Sequence, residues 1–251
     1  LNNTEYTNFT TADTNSISIS VLGCNASLYN ISSGVLCNAT VTDNVEVNTV
    51  TANVTLPNGS VYDISVGNIS SNFHFNFSNT SQYLGQYNIS WWANDTSNNI
   101  VTATDAFSIS DLIMPIVISE IPLNDSNFSE STLDFNFSYT DNFYNSINCS
   151  LYLDNVLNQS NTNTINGTNT TFTISGLDDG THSWNVSCID TSNNTNSSET
   201  QLFTVDRFNV TFVSLTTFPT EDIDLDPSKN VNITANVTDN TTSVNTVIFQ
   251  Y

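Results

Sequence analysis

Leu133-Asp134-Phe135-Asn136-Phe137-Ser138-Tyr139 sets Leu133, Phe135, Phe137 and Tyr139 on one side of a two-residue alternation and Asp134, Asn136 and Ser138 on the other. That pattern is a half-buried strand. Asn136 also opens an Asn-x-Ser triplet, the acceptor for N-linked sugar, and it falls on the wet side of the alternation, where a glycan has room. The same phase returns elsewhere. Asn76 lies opposite Phe73, Phe75 and Phe77, Asn88 opposite Tyr87, Ile89 and Trp91, and Asn185 opposite Trp184, Val186 and Cys188.

On either side of this stretch, similar runs of Phe, Val, Ile, Tyr and Trp are bounded by clusters of Asn, Asp, Gly and Ser. They predict strands at 17–22, 36–41, 47–54, 61–66, 73–77, 87–92 and 101–109, then at 116–122, 133–139, 147–153, 171–174, 183–189 and 201–205. Helical spacing and caps are missing over any useful length, so the chain reads as all-β. Its Asn, Ser and Thr content alone would suit a disordered tract, but the repeated apolar faces oppose that reading. Strands at such spacing build sandwiches, and domains at 15–111 and 112–206, about 95 residues each, fit a small one.

Internal repetition extends the plan. Val41-Thr42-Asp43-Asn44 followed by Val47-Asn48-Thr49-Val50 returns as Val237-Thr238-Asp239-Asn240 followed by Val244-Asn245-Thr246-Val247, roughly 196 residues later. Phe9-Thr10 matches Phe203-Thr204 at nearly the same offset. Residues 1–14 therefore read as the last strand of a preceding domain and 207–251 as the first strands of a third, incomplete one. The chain is expected to be a fragment of a longer repeat array. Val231, Ile233, Ala235 and Val237 form an apolar face that needs covering, by the chain's continuation or by a neighbour's strand.

Acceptor triplets number 26 in 251 residues, where the composition would yield roughly 11 by chance. Up to the middle of the first domain they begin at Asn2, Asn8, Asn25, Asn30, Asn38, Asn53, Asn58 and Asn68. They continue with Asn76, Asn79, Asn88, Asn94, Asn124, Asn127, Asn136, Asn148 and Asn158. The remainder are Asn166, Asn169, Asn185, Asn193, Asn196, Asn209, Asn232, Asn236 and Asn240. Such an excess places the protein outside a cell membrane, with covalent N-linked glycans over much of its surface.

Arg207 and Lys229 are the only basic side chains against 24 acidic ones, a net charge of -22. Phosphate backbones and anionic membrane surfaces are repelled by such a field, which excludes nucleic acid as a partner. No run of about 18 apolar residues exists to span a membrane, and the chain opens at Leu1 without a charged, apolar leader, which reads as a mature or truncated piece.

Trp184-Asn185-Val186-Ser187-Cys188-Ile189-Asp190-Thr191-Ser192-Asn193-Asn194 and Trp91-Trp92-Ala93-Asn94-Asp95-Thr96-Ser97-Asn98-Asn99 resemble the late-strand signature of tandem immunoglobulin-like repeats in large secreted and cell-surface glycoproteins of archaea. Acceptor triplets without an acidic residue two places upstream fit archaea or eukaryotes better than bacteria. The resemblance implies tandem immunoglobulin-like β-sandwich domains. It discriminates poorly among stalks, surface-layer pieces, adhesins and filament subunits.

The four cysteines can pair inside domains, Cys24 with Cys37 and Cys149 with Cys188. In an immunoglobulin-like sandwich the strands of Cys149 and Cys188 would be neighbours in one sheet. No CxxC or His pair supports a metal site at these thiols. Neither full domain contains Lys, which rules out Lys-Asn isopeptide bonds there and leaves covalent reinforcement to the cysteines.

Catalytic chemistry is hard to place. His74 and His182 fall in different domains, on or beside strands, where solvent-facing His is ordinary. No Ser-His-Asp order, phosphate loop or HExxH occurs, and Asp178-Asp179 reads as a turn former in the Gly-bounded stretch 176–180. Glu221, Asp222, Asp224 and Asp226 alternate carboxylates that could ligate Ca²⁺, against the plainer reading of a solvated acidic loop; Asp43, Asp95, Asp190 and Asp239 are weaker candidates. Trp91 and Trp92 are adjacent, so on a strand one of them faces outward, toward a sugar or a packing partner.

These readings predict a non-enzymatic, extracellular structural glycoprotein of a cell-surface filament, stalk or surface layer, partnered chiefly with copies of itself in a polymer or lattice. Other cell-surface proteins or glycans are secondary partners. The rival class is an adhesin or carbohydrate-binding or ligand-binding module.

Overall fold

The computed structural model describes residues 15–207, 211–218 and 232–238. Phe9, the acceptors Asn2, Asn8, Asn209 and Asn240, Asp239 and the acidic run 221–226 lie outside the described residues. Of Asn232 and Asn236 only the strand backbone is described. The chain divides into two compact units, Leu1–Ile113 and Met114–Tyr251. Every regular element among the described residues is a strand, as the two-residue periodicity predicts.

The first unit contains β1 (Ser18–Cys24), β2 (Leu28–Asn30), β3 (Val35–Thr42), β4 (Val47–Thr55), β5 (Val61–Ile64), β6 (Gly67–Ile69), β7 (Asn72–Phe77), β8 (Gly85–Asp95) and β9 (Ile100–Ser110). They form two sheets, ordered β1-β3-β7-β6 and β2-β9-β8-β4-β5. The alternation explains the layers. Along β8, Tyr87, Ile89, Trp91 and Ala93 are buried while Asn88 and Ser90 are exposed, and β3 buries Val35, Cys37, Ala39 and Val41 in the same way. Phe75 of β7 meets Trp91 of β8 at 5.3 Å, so the two sheets share one core. Burial of each such large side chain contributes about 1.5–3 kcal/mol.

In the second unit β10 (Ile116–Ile121), β11 (Ser126–Phe128), β12 (Leu133–Thr140), β13 (Ser146–Leu153), β14 (Val156–Ile165), β15 (Thr170–Ile174), β16 (Gly180–Ile189), β17 (Thr195–Ser197) and β18 (Gln201–Val205) repeat the plan. The orders are β10-β12-β15 and β11-β18-β16-β13-β14, with β17 on β16. Phe135 of β12 packs edge-on against Trp184 of β16 at 5.2 Å, joining the two layers. Beyond this sandwich β19 (Thr211–Phe218) and β20 (Asn232–Thr238) pair antiparallel.

Both units therefore carry the immunoglobulin-like order. In each, a short early strand runs parallel to the last strand, β2 with β9 and β11 with β18, beside the central pair β8-β4 or β16-β13. Both expected cysteine pairs are disulfides and no thiol is left free. Cys24 pairs in register with Cys37 across β1 and β3, and Cys149 with Cys188 across β13 and β16. Each bond thus lies within one sheet, unlike the inter-sheet bridge of antibody domains.

Candidate functional site

The acceptor asparagines behave as the strand phase predicts. None of those with a described side chain is buried. Asn88 and Asn76 are exposed between buried neighbours, Tyr87 with Ile89 and Phe75 with Phe77. Asn136, Asn148 and Asn185 are half-buried on the outward side of β12, β13 and β16. Asn166 differs. Its Nδ2 donates to the carbonyl oxygens of Asp141 at 2.8 Å and Tyr144 at 3.0 Å, and its Oδ1 accepts from Asp141 N at 3.2 Å. Both amide hydrogens are in use, whereas a glycosidic bond replaces one of them.

The adjacent tryptophans split as expected. Trp91 is 1 % exposed in the core, and Trp92 stands half-buried on the other face of the β2-β9-β8-β4-β5 sheet. In register, Thr51 of β4 and Thr102 of β9 flank Trp92, with Asn53, Ser90 and Thr104 across the next outward row. These residues, together with Asp63, line a concavity of about 530 Å³.

At the entry to β8 the Tyr87 hydroxyl donates to the carbonyl oxygen of Tyr83 at 2.8 Å, four residues upstream. That is the tyrosine corner of immunoglobulin-like sandwiches, and burial raises the hydroxyl's pKa, helped by Tyr83 and Tyr62. The entry to β16 has the same offset with another residue: His182 Nε2 lies 2.9 Å from the carbonyl oxygen of Asp178, and Nδ1 lies 2.7 Å from Asp154 Oδ2. Both partners are acceptors, so only the imidazolium donates to both at once. Burial pushes the His182 pKa down, but the bonds to Asp154 and the Asp178 carbonyl outweigh it and the pKa is raised. Asp154 is held below the ordinary carboxylate value: burial raises it, and the His182 and Ser183 bonds lower it further. The sequence expectation of a solvent-facing His182 is thus corrected. Its side chain is 13 % exposed and its ring stacks on Phe203 at 5.3 Å. His74 sits on β7 with its ring beside Gly67, in the other unit.

Asp178-Asp179 lies in the loop that bends into β16, and it does more. Asp179 Oδ1 accepts from the Arg207 Nε at 2.7 Å and the Arg207 backbone N at 3.1 Å, fastening the segment after β18 to the corner.

Three of the acidic residues read as weaker calcium ligands, Asp43, Asp95 and Asp190, accept hydrogen bonds within loops. Asp43 Oδ2 accepts from the backbone N of Val45 and Glu46 at 2.8 and 3.0 Å. In the loop from β8 to β9, Asp95 Oδ1 accepts from Ser97 N and Asn99 N, both at 2.8 Å, and Asn99 Nδ2 donates to Asp95 Oδ2 at 2.6 Å. Asp190 repeats this with Asn194, at 2.8 and 2.7 Å. Asn98 and Asn193 take the left-handed conformation, φ 66° and 67°. The repeated Asp-Thr-Ser-Asn-Asn phrase is therefore a carboxylate-capped hairpin turn. Burial raises the Asp95 pKa, and the bonds from Asn99, Ser97 and Asn98 bring it below the ordinary value. Asp141, which sequence reading passed over, accepts from Phe143 N and Tyr144 N and has a carboxylate oxygen within 4.8 Å of one on Asp190.

Among the described residues no helix is long and apolar enough to cross a membrane. No family model matches the chain, and no curated protein does. Among solved structures it is similar to the fibronectin(III)-like modules of Clostridium thermocellum CbhA, with 13 % identity, TM-score 0.34, and 75 % of this chain and 93 % of that one covered. A tetra-tandem repeat from the extending region of a large adhesion protein aligns at 15 % identity and TM-score 0.43, covering 88 % of this chain and 62 % of that one. A 1.5-MDa bacterial ice-binding adhesin aligns at 16 % identity and TM-score 0.35, over 81 % and 71 %. By the strand order of its two units, the chain is a tandem of immunoglobulin-like β-sandwiches.

Proposed function

We propose that this chain is an extracellular, N-glycosylated structural segment of a repeat array, of the kind found in archaeal surface glycoproteins, that builds a cell-surface filament, stalk or lattice with copies of itself. The role is mechanical and steric. Sandwich cores and disulfides resist unfolding, repetition supplies length, and glycans cover sheet faces and edges while the acidic surface keeps the chain soluble. The single observation carrying this reading is the phase of the acceptors: with 26 triplets in the sequence, every acceptor whose side chain is described is exposed or half-buried. Two disulfides and no free thiol agree with an oxidising compartment. Calcium at residues 221–226 remains part of the proposal, as a ligand of the acidic run. Glycopeptide mass spectrometry of native material tests it. We expect Asn76, Asn88, Asn136, Asn148 and Asn185 to be mostly occupied and Asn166 to be bare, because both its amide hydrogens are donated. Finding the first five bare would sink the export reading. The rival reading, an adhesin or ligand-binding module, draws on the Trp92 concavity.

A further inference from the structure

We propose that the Trp92 face of the first unit is a pyranose-stacking site filled by the proximal sugar of a glycan carried on Asn53; the inference rests on the glycosylation proposed above. Trp92 is partly open to solvent in the middle of a sheet face, where its neighbours are Thr51, Asn53, Ser90, Thr102 and Thr104. An indole there presents a broad apolar surface inside a ring of hydroxyl and amide groups, with the Asp63 carboxylate at the rim. That combination suits one ligand chemistry. A pyranose has an apolar C–H face to lay on the ring and equatorial hydroxyls to bond around it. The concavity, about 530 Å³, lies within the ~300–1,000 Å³ of pockets that hold small organic ligands.

The register says where the sugar comes from. Trp92 pairs with Thr51, and Asn53 pairs with Ser90, so Asn53 is the diagonal cross-strand neighbour of Trp92, about 7–8 Å away. Asn53-Val54-Thr55 is an acceptor triplet. Val54, fully buried, fixes Asn53 in the outward phase. The amide linkage carries the first sugar ring across that gap, and a tethered ring competes at an effective concentration no free oligosaccharide matches. Asn94 also lies on this face, two residues along β8 from Trp92 and opposite Thr49, but it does not line the concavity. Glycans on Asn88, which pairs with Thr55, and on Asn94 fence the face against outside ligands.

Fluorescence quenching of the full chain, secreted from an N-glycosylating host, reads the site directly. The chain has three tryptophans, and Trp91 and Trp184 are each 1 % exposed, so acrylamide reports Trp92. We expect Asn53→Gln to raise the quenching constant several-fold, Asn94→Gln to leave it unchanged, and the Asn53→Gln effect to vanish in a Trp92→Phe background. Unchanged quenching in Asn53→Gln, with glycopeptides showing Asn53 occupied in the parent, overturns this inference and leaves the glycoprotein reading intact. So does an increase produced by Asn94→Gln instead. A bare Asn53 in the parent removes the occupant and overturns the inference together with the glycosylation reading at that position.

Discussion

The two sandwiches turn into their long central strand through the same corner made with different chemistry. Tyr87 and His182 each bond a backbone carbonyl four residues upstream, and each follows a glycine two positions earlier, Gly85 with φ 123° and Gly180 with φ 135°. What the corner demands is a donor at that offset and a backbone that only glycine adopts easily. The identity of the donor is free, and it decides what else the corner responds to. A buried tyrosine is silent over the physiological pH range, whereas a histidine bridging a carbonyl and the Asp154 carboxylate is not. The covalent ties differ as well. The first unit closes a separation of 13 residues at its β1-β3 border, while the second closes 39 residues across its central pair, with Cys149 and Cys188 both fully buried.

The largest expected contrast comes from removing these ties. Replacing Cys149 and Cys188 by Ala should destabilise the second unit by about 4 kcal/mol, and replacing Cys24 and Cys37 should destabilise the first by about 3 kcal/mol, in the chain-entropy model. Urea unfolding followed through Trp184 for one unit and Trp91 with Trp92 for the other measures both. Equal losses would show that loop length does not set the difference.

A smaller effect sharpens the corner itself. Gly85→Ala and Gly180→Ala should each cost about 1–3 kcal/mol from backbone strain. Gly180→Ala isolates the backbone strain because the space there is open, whereas at Gly85 the new methyl also makes an ordinary 3.4 Å contact with Pro57. Thermal unfolding of the two variants gives the two costs, and a neutral Gly180→Ala would deny the corner its conformational requirement.

The smallest effect is pH dependence, and it separates the corners most cleanly. His182 has a raised pKa in the fold, so its contribution is fully present below the unfolded value near 6.5 and is lost as pH rises through the folded value. Asp154, lowered, contributes above its unfolded value near 3.9 and loses that contribution as pH falls through its folded value. Protection of the β16 amides, corrected for the intrinsic rise of exchange with pH, should therefore fall on the alkaline side while that of β8 stays flat. His182→Gln should erase the alkaline arm, and Tyr87→Phe should cost the first unit about 1–2 kcal/mol at every pH. A flat response at β16 in the parent chain would mean the imidazole is not a double donor.

Strands with one dry face were legible from sequence. β12 and β8 announce themselves because every second residue is apolar, and the same phase located the acceptors. β14 was missed although it runs from Val156 to Ile165, since at the sheet border it buries only Thr164 and so has no apolar period. The short β2, β6, β11 and β17, three residues each, carry too few positions to show one. The role of His182 was hidden for another reason. Its partners are a main-chain carbonyl and a carboxylate 28 residues away, which only the folded loop brings together. For Trp92 the sequence supplied the outward phase, while the rim of hydroxyls around it came from three neighbouring strands whose register no single run reveals.

The two disulfides also divide the way a pulled chain would lengthen. Tension entering at β1 reaches Cys24, crosses to Cys37 and bypasses β2, so the parallel β2-β9 border carries no load while the bond is intact. In the second unit β11 lies outside the bridged segment, and its parallel border with β18 is loaded in shear, bonds such as Asp125 N to the Leu202 carbonyl and Asp206 N to the Phe128 carbonyl strained together. The bridges also withhold extension. Separations of 13 and 39 residues correspond to about 45 and 135 Å of contour, at roughly 3.5 Å per residue, that a stretched repeat releases only when its sulfurs are reduced.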